Sequence, residues 1–355
     1  TPGGSQITNI ELWKSDGTSG GTSVVKDIRI GNNGSYPQDF RDINGTLYFT
    51  ASDGSYGREL WKTDGSMGGT SMVKDINIGS VGGFEYSGQY GYYTHPFIVV
   101  WQNGSDFYFT ANAYAETPGG SQINDIELWK SDGTSSGTSK VKDICIGNNG
   151  SYPQDFYDIN GTLYFTASDG SYGRELWKTN GTTGGTSMVK DINIGSVGGF
   201  EYSGQYGYYT NPFNVVWQNG NTFYFTASDY TETPGGSQIT NTELWKSDGT
   251  GGGTSMVKDI RSGNNGSYPQ DFQPINGVLY FTAYDGTYGR ELWKTDGSGS
   301  GTVMVKDIQS GSVGGFEYSG QYGYYSSTFR SPFSIGSDFY FSANDNANSS
   351  TLENN

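Results

Sequence analysis

The residues with most chemistry to offer lie in three near-identical stretches. The first is Phe84-Glu85-Tyr86-Ser87-Gly88-Gln89-Tyr90-Gly91-Tyr92-Tyr93, and the same ten recur at 200–209 and 316–325. Tyr gives flat, amphipathic contact area at low entropic cost. Glu and Gln beside it supply hydrogen-bonding partners. That mixture suits sugar rings, which present an apolar face and a rim of hydroxyls. The candidate ligand-binding residues are therefore Glu85, Tyr86, Gln89, Tyr90, Tyr92 and Tyr93 in the first copy. Their counterparts are Glu201, Tyr202, Gln205, Tyr206, Tyr208 and Tyr209, then Glu317, Tyr318, Gln321, Tyr322, Tyr324 and Tyr325. The plainer role for these rings is to pack a long loop onto the rest of the chain.

Catalytic chemistry has fewer candidates. Glu-Leu-Trp-Lys occurs six times, beginning at Glu11, Glu59, Glu127, Glu175, Glu243 and Glu291. Two-carboxylate catalysis needs environments that push the two pKa values apart, and six equivalent sites do not provide them. Structural ion pairs are expected instead, Glu59 with Lys74 across strands, or Glu59 and Arg58 with neighbours. The six motif Trps, Trp13 to Trp293, are expected to wedge between neighbouring sheets. His95 is the single histidine, and Asn211 holds its place in the second copy. This argues against a Ser-His-Asp arrangement and against a His-based zinc site. Asp39, Asp155 and Asp271 are expected on innermost strands, lining an axial channel.

Cys145 is also single, so no disulfide forms within one chain. Its counterparts are Arg29 and Arg261, which suggests an exposed position. No cofactor is required by any motif, and no spacing matches an EF-hand loop. Calcium is a candidate brace for the Asp- and Asn-rich turns, such as those at Gly31, Gly147 and Gly263. A net charge of −16 is compatible with it. The same charge repels phosphate backbones and anionic lipid heads, which argues against nucleic acid and membrane surfaces. No apolar run is long enough to insert in a membrane.

The elements that must position these residues follow from repetition. Successive motif glutamates are 48, 68, 48, 68 and 48 residues apart. Each third is thus a short unit plus a long unit, 116 residues together, and residues 1–116 differ from 117–232 at 16 positions. The short unit reads as four strands: 36–43, 46–51, 58–64 and 70–76. Asn44-Gly45 between the first two is a hairpin signal. Four antiparallel strands in about 48 residues is the size of one propeller blade. The long unit adds the Tyr-rich stretch before its first strands and a second insertion around 115–122. Both insertions fall on connections that share one face, where loops on a rigid scaffold commonly carry binding residues.

The string Glu-Leu-Trp-Lys-Ser-Asp-Gly-Thr at Glu11, Glu127 and Glu243, with the following Val-Lys-Asp-Ile, resembles the ELWxxDGT repeat of bacterial secreted and cell-surface proteins. Copies at Glu59, Glu175 and Glu291 depart slightly, with Ser66 and Ser298 for the last Thr and Asn180 for Asp. The resemblance implies a β-propeller in an extracytoplasmic setting, and neither a reaction nor a defined ligand.

The expected architecture is a six-bladed all-β propeller with four-stranded antiparallel blades and pseudo-threefold symmetry. It spans 1–348, in repeats 1–116, 117–232 and 233–348, with 349–355 a polar tail. N- and C-terminal strands together close the last blade. The expected function is a non-enzymatic, multivalent, lectin-like module that binds carbohydrate on a secreted or surface protein. The alternative is a structural or adhesive block binding extracellular protein surfaces, and a third reading is a glycan-active enzyme with a central cleft.

Overall fold

In a computed structural model, residues 9–79, 81–88, 91–113, 125–147, 149–195, 197–204, 207–229, 241–263, 265–311, 314–320, 323–326, 333–335 and 338–345 are described. They are all-β, with no helix among them. Five sheets have four strands each in sequential order, the unit from which β-propellers are built. The first consists of Gln38–Ile43, Thr46–Ser52, Arg58–Thr63 and Ser71–Lys74. Two-stranded sheets stand at either end of the chain, Leu12–Lys14 with Ser23–Lys26 and Phe333–Ile335 with Asp338–Tyr340. Three further hairpins carry the Tyr-rich stretches.

Local chemistry explains the sheets. Asn44 and Gly45 both take positive φ, 52° and 80°, as a two-residue hairpin turn requires. Asp42 Oδ1 accepts the Gly45 N–H at 2.9 Å and fixes the turn. Strand Thr46–Ser52 then pairs with Arg58–Thr63 in the register Phe49↔Trp61 and Ala51↔Glu59. Asp64 Oδ1 accepts from Ser66 N and Oγ at the next turn, and these bonds lower its pKa.

The chain divides into two compact units, residues 1–170 with 178–187 and residues 171–177 with 188–355. In the first, Trp61 packs with Leu12, Val25 and Ile28, and Trp129 with Leu60, Val73 and Ile76. In the second, Trp293 packs with Leu244, Val257 and Ile260. These three motif Trps thus lie on the Leu, Val and Ile of the preceding sheet. Five of the six are 5–7 % exposed, but Trp13 is 61 % exposed, which corrects the expectation that all six are wedged. Trp13 belongs to the first sheet of its unit, so no earlier sheet of that unit covers it.

The expected ion pairs of the motif glutamates are also corrected. Glu59 is buried and accepts three backbone N–H groups: Ile76 at 3.1 Å, Asn77 at 3.3 Å and Gly83 at 2.8 Å. Ladder bonds cannot satisfy those amides, because the chain turns away from the sheet there. Gly82 and Gly83 are needed for the approach. A Cβ at Gly82 would lie 2.1 Å from Arg58 O, and one at Gly83 2.6 Å from Ile76 Cβ. The lysines reach carbonyls of the next sheet instead. Lys62 Nζ donates to Gly133 O at 2.8 Å and Lys74 Nζ to Ser135 O at 3.2 Å.

Cys145 is buried rather than exposed. Its N–H donates to Glu127 Oε1 at 3.2 Å, and its sulfur sits against Gly170. Arg29 and Arg261 cover Gly54 and Gly286 in the same way, with stems long enough to carry their charge outward.

Candidate functional site

The first strand of the first sheet is irregular where its carboxylate sits. Pairing slips between Gln38 and Arg41, and Asp39 takes φ +57°. A left-handed residue other than Gly costs about 1–2 kcal/mol, and Asp tolerates it because its short side chain bonds locally. Asp39 Oδ2 accepts from Thr50 Oγ1 at 3.1 Å and from Phe97 N at 3.2 Å. Asp155 and Asp271 repeat the conformation, at φ 55° and 56°, with Thr166 and Thr282 hydroxyls on their Oδ2. The sequence placed these three on first strands, as observed. It gave no sign of the bulge that strains them.

Charged groups surround Asp39. Arg58 is buried, and its Nη1 donates to Tyr36 O at 2.9 Å and to Thr50 Oγ1 at 3.2 Å. Burial pulls the guanidinium pKa down, while the charges of Glu85 and Asp39 oppose that. Glu85 accepts from the backbone N–H of Arg58 at 3.0 Å and of Gly82 at 3.3 Å. It thereby anchors the start of the Tyr-rich hairpin, Glu85–Gly88 with Gly91–Thr94.

His95 follows that hairpin directly. Its N–H donates to Phe84 O at 2.8 Å, and its Nε2 lies 2.7 Å from Thr110 Oγ1. Burial lowers the imidazole pKa, partly offset by the Asp39 charge. The charge of the strained carboxylate thus acts on a buried guanidinium and on a half-buried imidazole at the root of one hairpin. Asn211 replaces His95 in the second repeat, so the first repeat differs from it where the chemistry would occur.

The Tyr-rich stretches are hairpins rather than loops. Tyr86 faces Tyr93 and Ser87 faces Tyr92 across the ladder, and Tyr202 faces Tyr209 and Tyr318 faces Tyr325 in the other copies. Tyr208 and Tyr324 take the place of Tyr92, opposite Ser203 and Ser319. Glu201 Oε2 accepts from Arg174 N at 3.0 Å, as Glu85 does from Arg58, and Glu317 opens the third hairpin opposite Ser326. Gln89, Tyr90, Gln205, Tyr206, Gln321 and Tyr322 lie outside the described residues, as does the second insertion at 115–122.

No family model matches the sequence, and no curated protein matches it. Solved structures do. A glycosyl hydrolase from Bacteroides ovatus matches 70 % of this chain and 79 % of its own at 8 % identity, with a TM-score of 0.26. The GH43 endo-arabinanase from Bacillus licheniformis matches 70 % and 88 % at 16 % identity and a TM-score of 0.24. Prolyl oligopeptidase B from Galerina marginata matches 77 % and 43 % at 11 % identity and a TM-score of 0.32. These are enzymes, two of them glycoside hydrolases. The expectation of a non-enzymatic lectin-like or adhesive module, and with it the exclusion of enzymatic activity, is corrected accordingly.

Proposed function

We propose that this chain is a glycan-active hydrolase whose reacting groups lie at the root of the first Tyr-rich hairpin. The observation that supports it is that Asp39, held by Thr50 and Phe97 in a strained bulge, acts by its charge on the half-buried imidazole of His95, the only histidine of the chain. Glycosidic cleavage proceeds through an oxocarbenium-like transition state and needs proton transfer. Asp39 supplies negative charge beside the sugar ring, and His95 takes a proton from the attacking water and, as the imidazolium so formed, returns one to the leaving oxygen. The Tyr-rich hairpins hold the glycan by stacking, and Tyr90, Tyr206 and Tyr322 are included in that role. The test is release of reducing ends from a panel of plant and microbial polysaccharides. Activity on at least one, reduced a hundredfold or more by Asp39→Asn, supports the reading, and no release from any member overturns it.

The architecture proposed with it is a six-bladed propeller over 1–348, its last blade made of N- and C-terminal strands. Two exposures support this. Val305 is 44 % exposed where five equivalent valines are 2–6 %, and Trp13 is the Trp that lacks such a valine. A cavity of about 320 Å³ beside Trp13 is lined by Leu12, Leu47, Asp64 and Gly65. At the equivalent Gly133 and Gly297, Tyr48 and Tyr224 hydroxyls fill that place. Tyr340 is the corresponding residue of the C-terminal strands. Closure of this kind removes sheet edges. Removal of residues 337–343 should then lower the melting temperature of the whole chain, and an unchanged melt would contradict closure. Membership of the ELWxxDGT-repeat group and a secreted or cell-surface location belong to the same proposal.

A further inference from the structure

Asn44-Gly45, Asn160-Gly161 and Asn276-Gly277 form hairpin turns of one sequence and one shape. Their φ values are 52° and 80°, 53° and 78°, and 50° and 78°. In the first two, a carboxylate from just before the turn holds the Gly N–H. Gly45 N donates to Asp42 Oδ1 and Gly161 N to Asp158 Oδ1, both at 2.9 Å. Trp101 Nε1 donates to Asp158 Oδ2 at 2.9 Å and fixes that carboxylate further. The third repeat has Pro274 in the place of Asp42 and Asp158. Pro offers no side-chain acceptor, and the Gly277 N–H makes no hydrogen bond with a described residue. Asn276 and Gly277 are exposed, and the space about Gly277 is open.

We propose that Asn276 is a site of spontaneous modification, closing to a succinimide on the Gly277 nitrogen and opening to aspartate or isoaspartate. The Gly277 nitrogen gives its proton to water or hydroxide and attacks the side-chain carbonyl carbon of Asn276. A C–N bond forms there, and the side-chain nitrogen leaves as ammonia. Water then opens the ring at either carbonyl, so the step needs water alone. Gly leaves the attack unhindered, because it carries no side chain. That holds for all three turns, and their common backbone shape removes conformation as a difference between them. The carboxylate is what differs. Its hydrogen bond and its charge favour the intact N–H over the deprotonated nitrogen that must attack. Asp42 and Asp158 therefore protect Asn44 and Asn160, and Pro274 leaves Asn276 unprotected. Each conversion adds a negative charge to the turn between Gln270–Ile275 and Val278–Tyr284. The isoaspartate product also lengthens that turn, since the backbone then runs through the side-chain carbons.

The test is incubation of the full chain in mildly alkaline buffer, with peptide mapping by mass spectrometry to follow aspartate and isoaspartate at the three turns. The expected result is conversion at Asn276 at least tenfold faster than at Asn44 and Asn160. In urea, where no turn is formed, the three rates should come within threefold of one another. Pro274→Asp installs the residue that both other repeats carry and should slow Asn276 at least fivefold. Asp42→Ala, at an exposed position, should speed Asn44 at least fivefold. Equal rates at the three turns of the folded chain overturn the proposal. So does a tenfold difference that persists in urea, because it then belongs to the neighbouring sequence and not to the fold. Unchanged rates in both variants also overturn it, since the carboxylate is then no protection.

Discussion

Glu59 Oε1 accepts the backbone N–H of Gly83 at 2.8 Å, across 24 residues of sequence. The same bond, at the same length, joins Glu175 to Gly199 and Glu291 to Gly315. The motif glutamate is therefore a staple that ties each short unit's sheet to the segment leading into the next Tyr-rich hairpin. Glu59→Ala leaves the amides of Ile76, Asn77 and Gly83 without an acceptor in a buried place. An unsatisfied buried group costs about 1–3 kcal/mol, so a loss of about 3 kcal/mol or more is expected in urea unfolding. A loss below about 1 kcal/mol would contradict the staple.

The same burial makes stability depend on pH. Desolvation raises Glu127 and Glu243 to about 7 and Glu175 to about 8, against an ordinary 4.5, and their hydrogen bonds offset this only in part. The folded state thus holds protons that the unfolded state has released. Stability is fully present below about pH 4.5 and is lost as pH rises through 7 to 8. The melting temperature should fall between pH 5 and 9. Glu175→Gln should flatten that fall, and an unchanged slope in the variant would contradict the assignment.

Trp61→Ala should cost about 3–5 kcal/mol, the usual loss for a large buried aromatic. Trp13 gives the sharper comparison. If the closing blade forms as proposed, Trp13→Ala costs within about 1 kcal/mol of Trp61→Ala, despite its exposed setting in its own unit. A cost near zero in thermal or urea melts would show that nothing covers it.

Strand content was legible because period-two patterning and Gly turns are local signals. Thr46–Ser52 and Arg58–Thr63 stand within a residue of their expected bounds. The Glu59 staple was not legible, since a charged residue inside a strand reads as a salt-bridge partner and its true partners are donor amides 17 to 24 residues on. Asp39 was placed on the right strand, but its left-handed conformation depends on Thr50 and on Phe97, 58 residues away. His95 was set aside because it is single. The structure gives it Thr110 and the Asp39 charge as neighbours, and only the fold brings these together.

The Tyr-rich hairpins carry a separate prediction. Replacing Tyr90, Tyr206 and Tyr322 together by Ala should raise KM for a glycan substrate at least tenfold and leave the melt nearly unchanged. Aromatic contacts are worth about 0.5–1.5 kcal/mol each beyond area burial, so three lost contacts suffice. A large loss of thermal stability in the triple variant would show these rings to be packing.

The central claim is that Asp39 and His95 act on a glycan. Its most direct test is the rate of reducing-end release, from whichever polysaccharide the parent chain cleaves best, by the parent, Asp39→Asn and His95→Asn. The second substitution is the residue that the second repeat carries at position 211. The expected result is a loss of at least a hundredfold in kcat for Asp39→Asn. For His95→Asn it is a loss of at least tenfold, together with removal of the ionisation that the parent shows below pH 6.5. Parent-like rates in both variants, with the melts unchanged, would contradict the account.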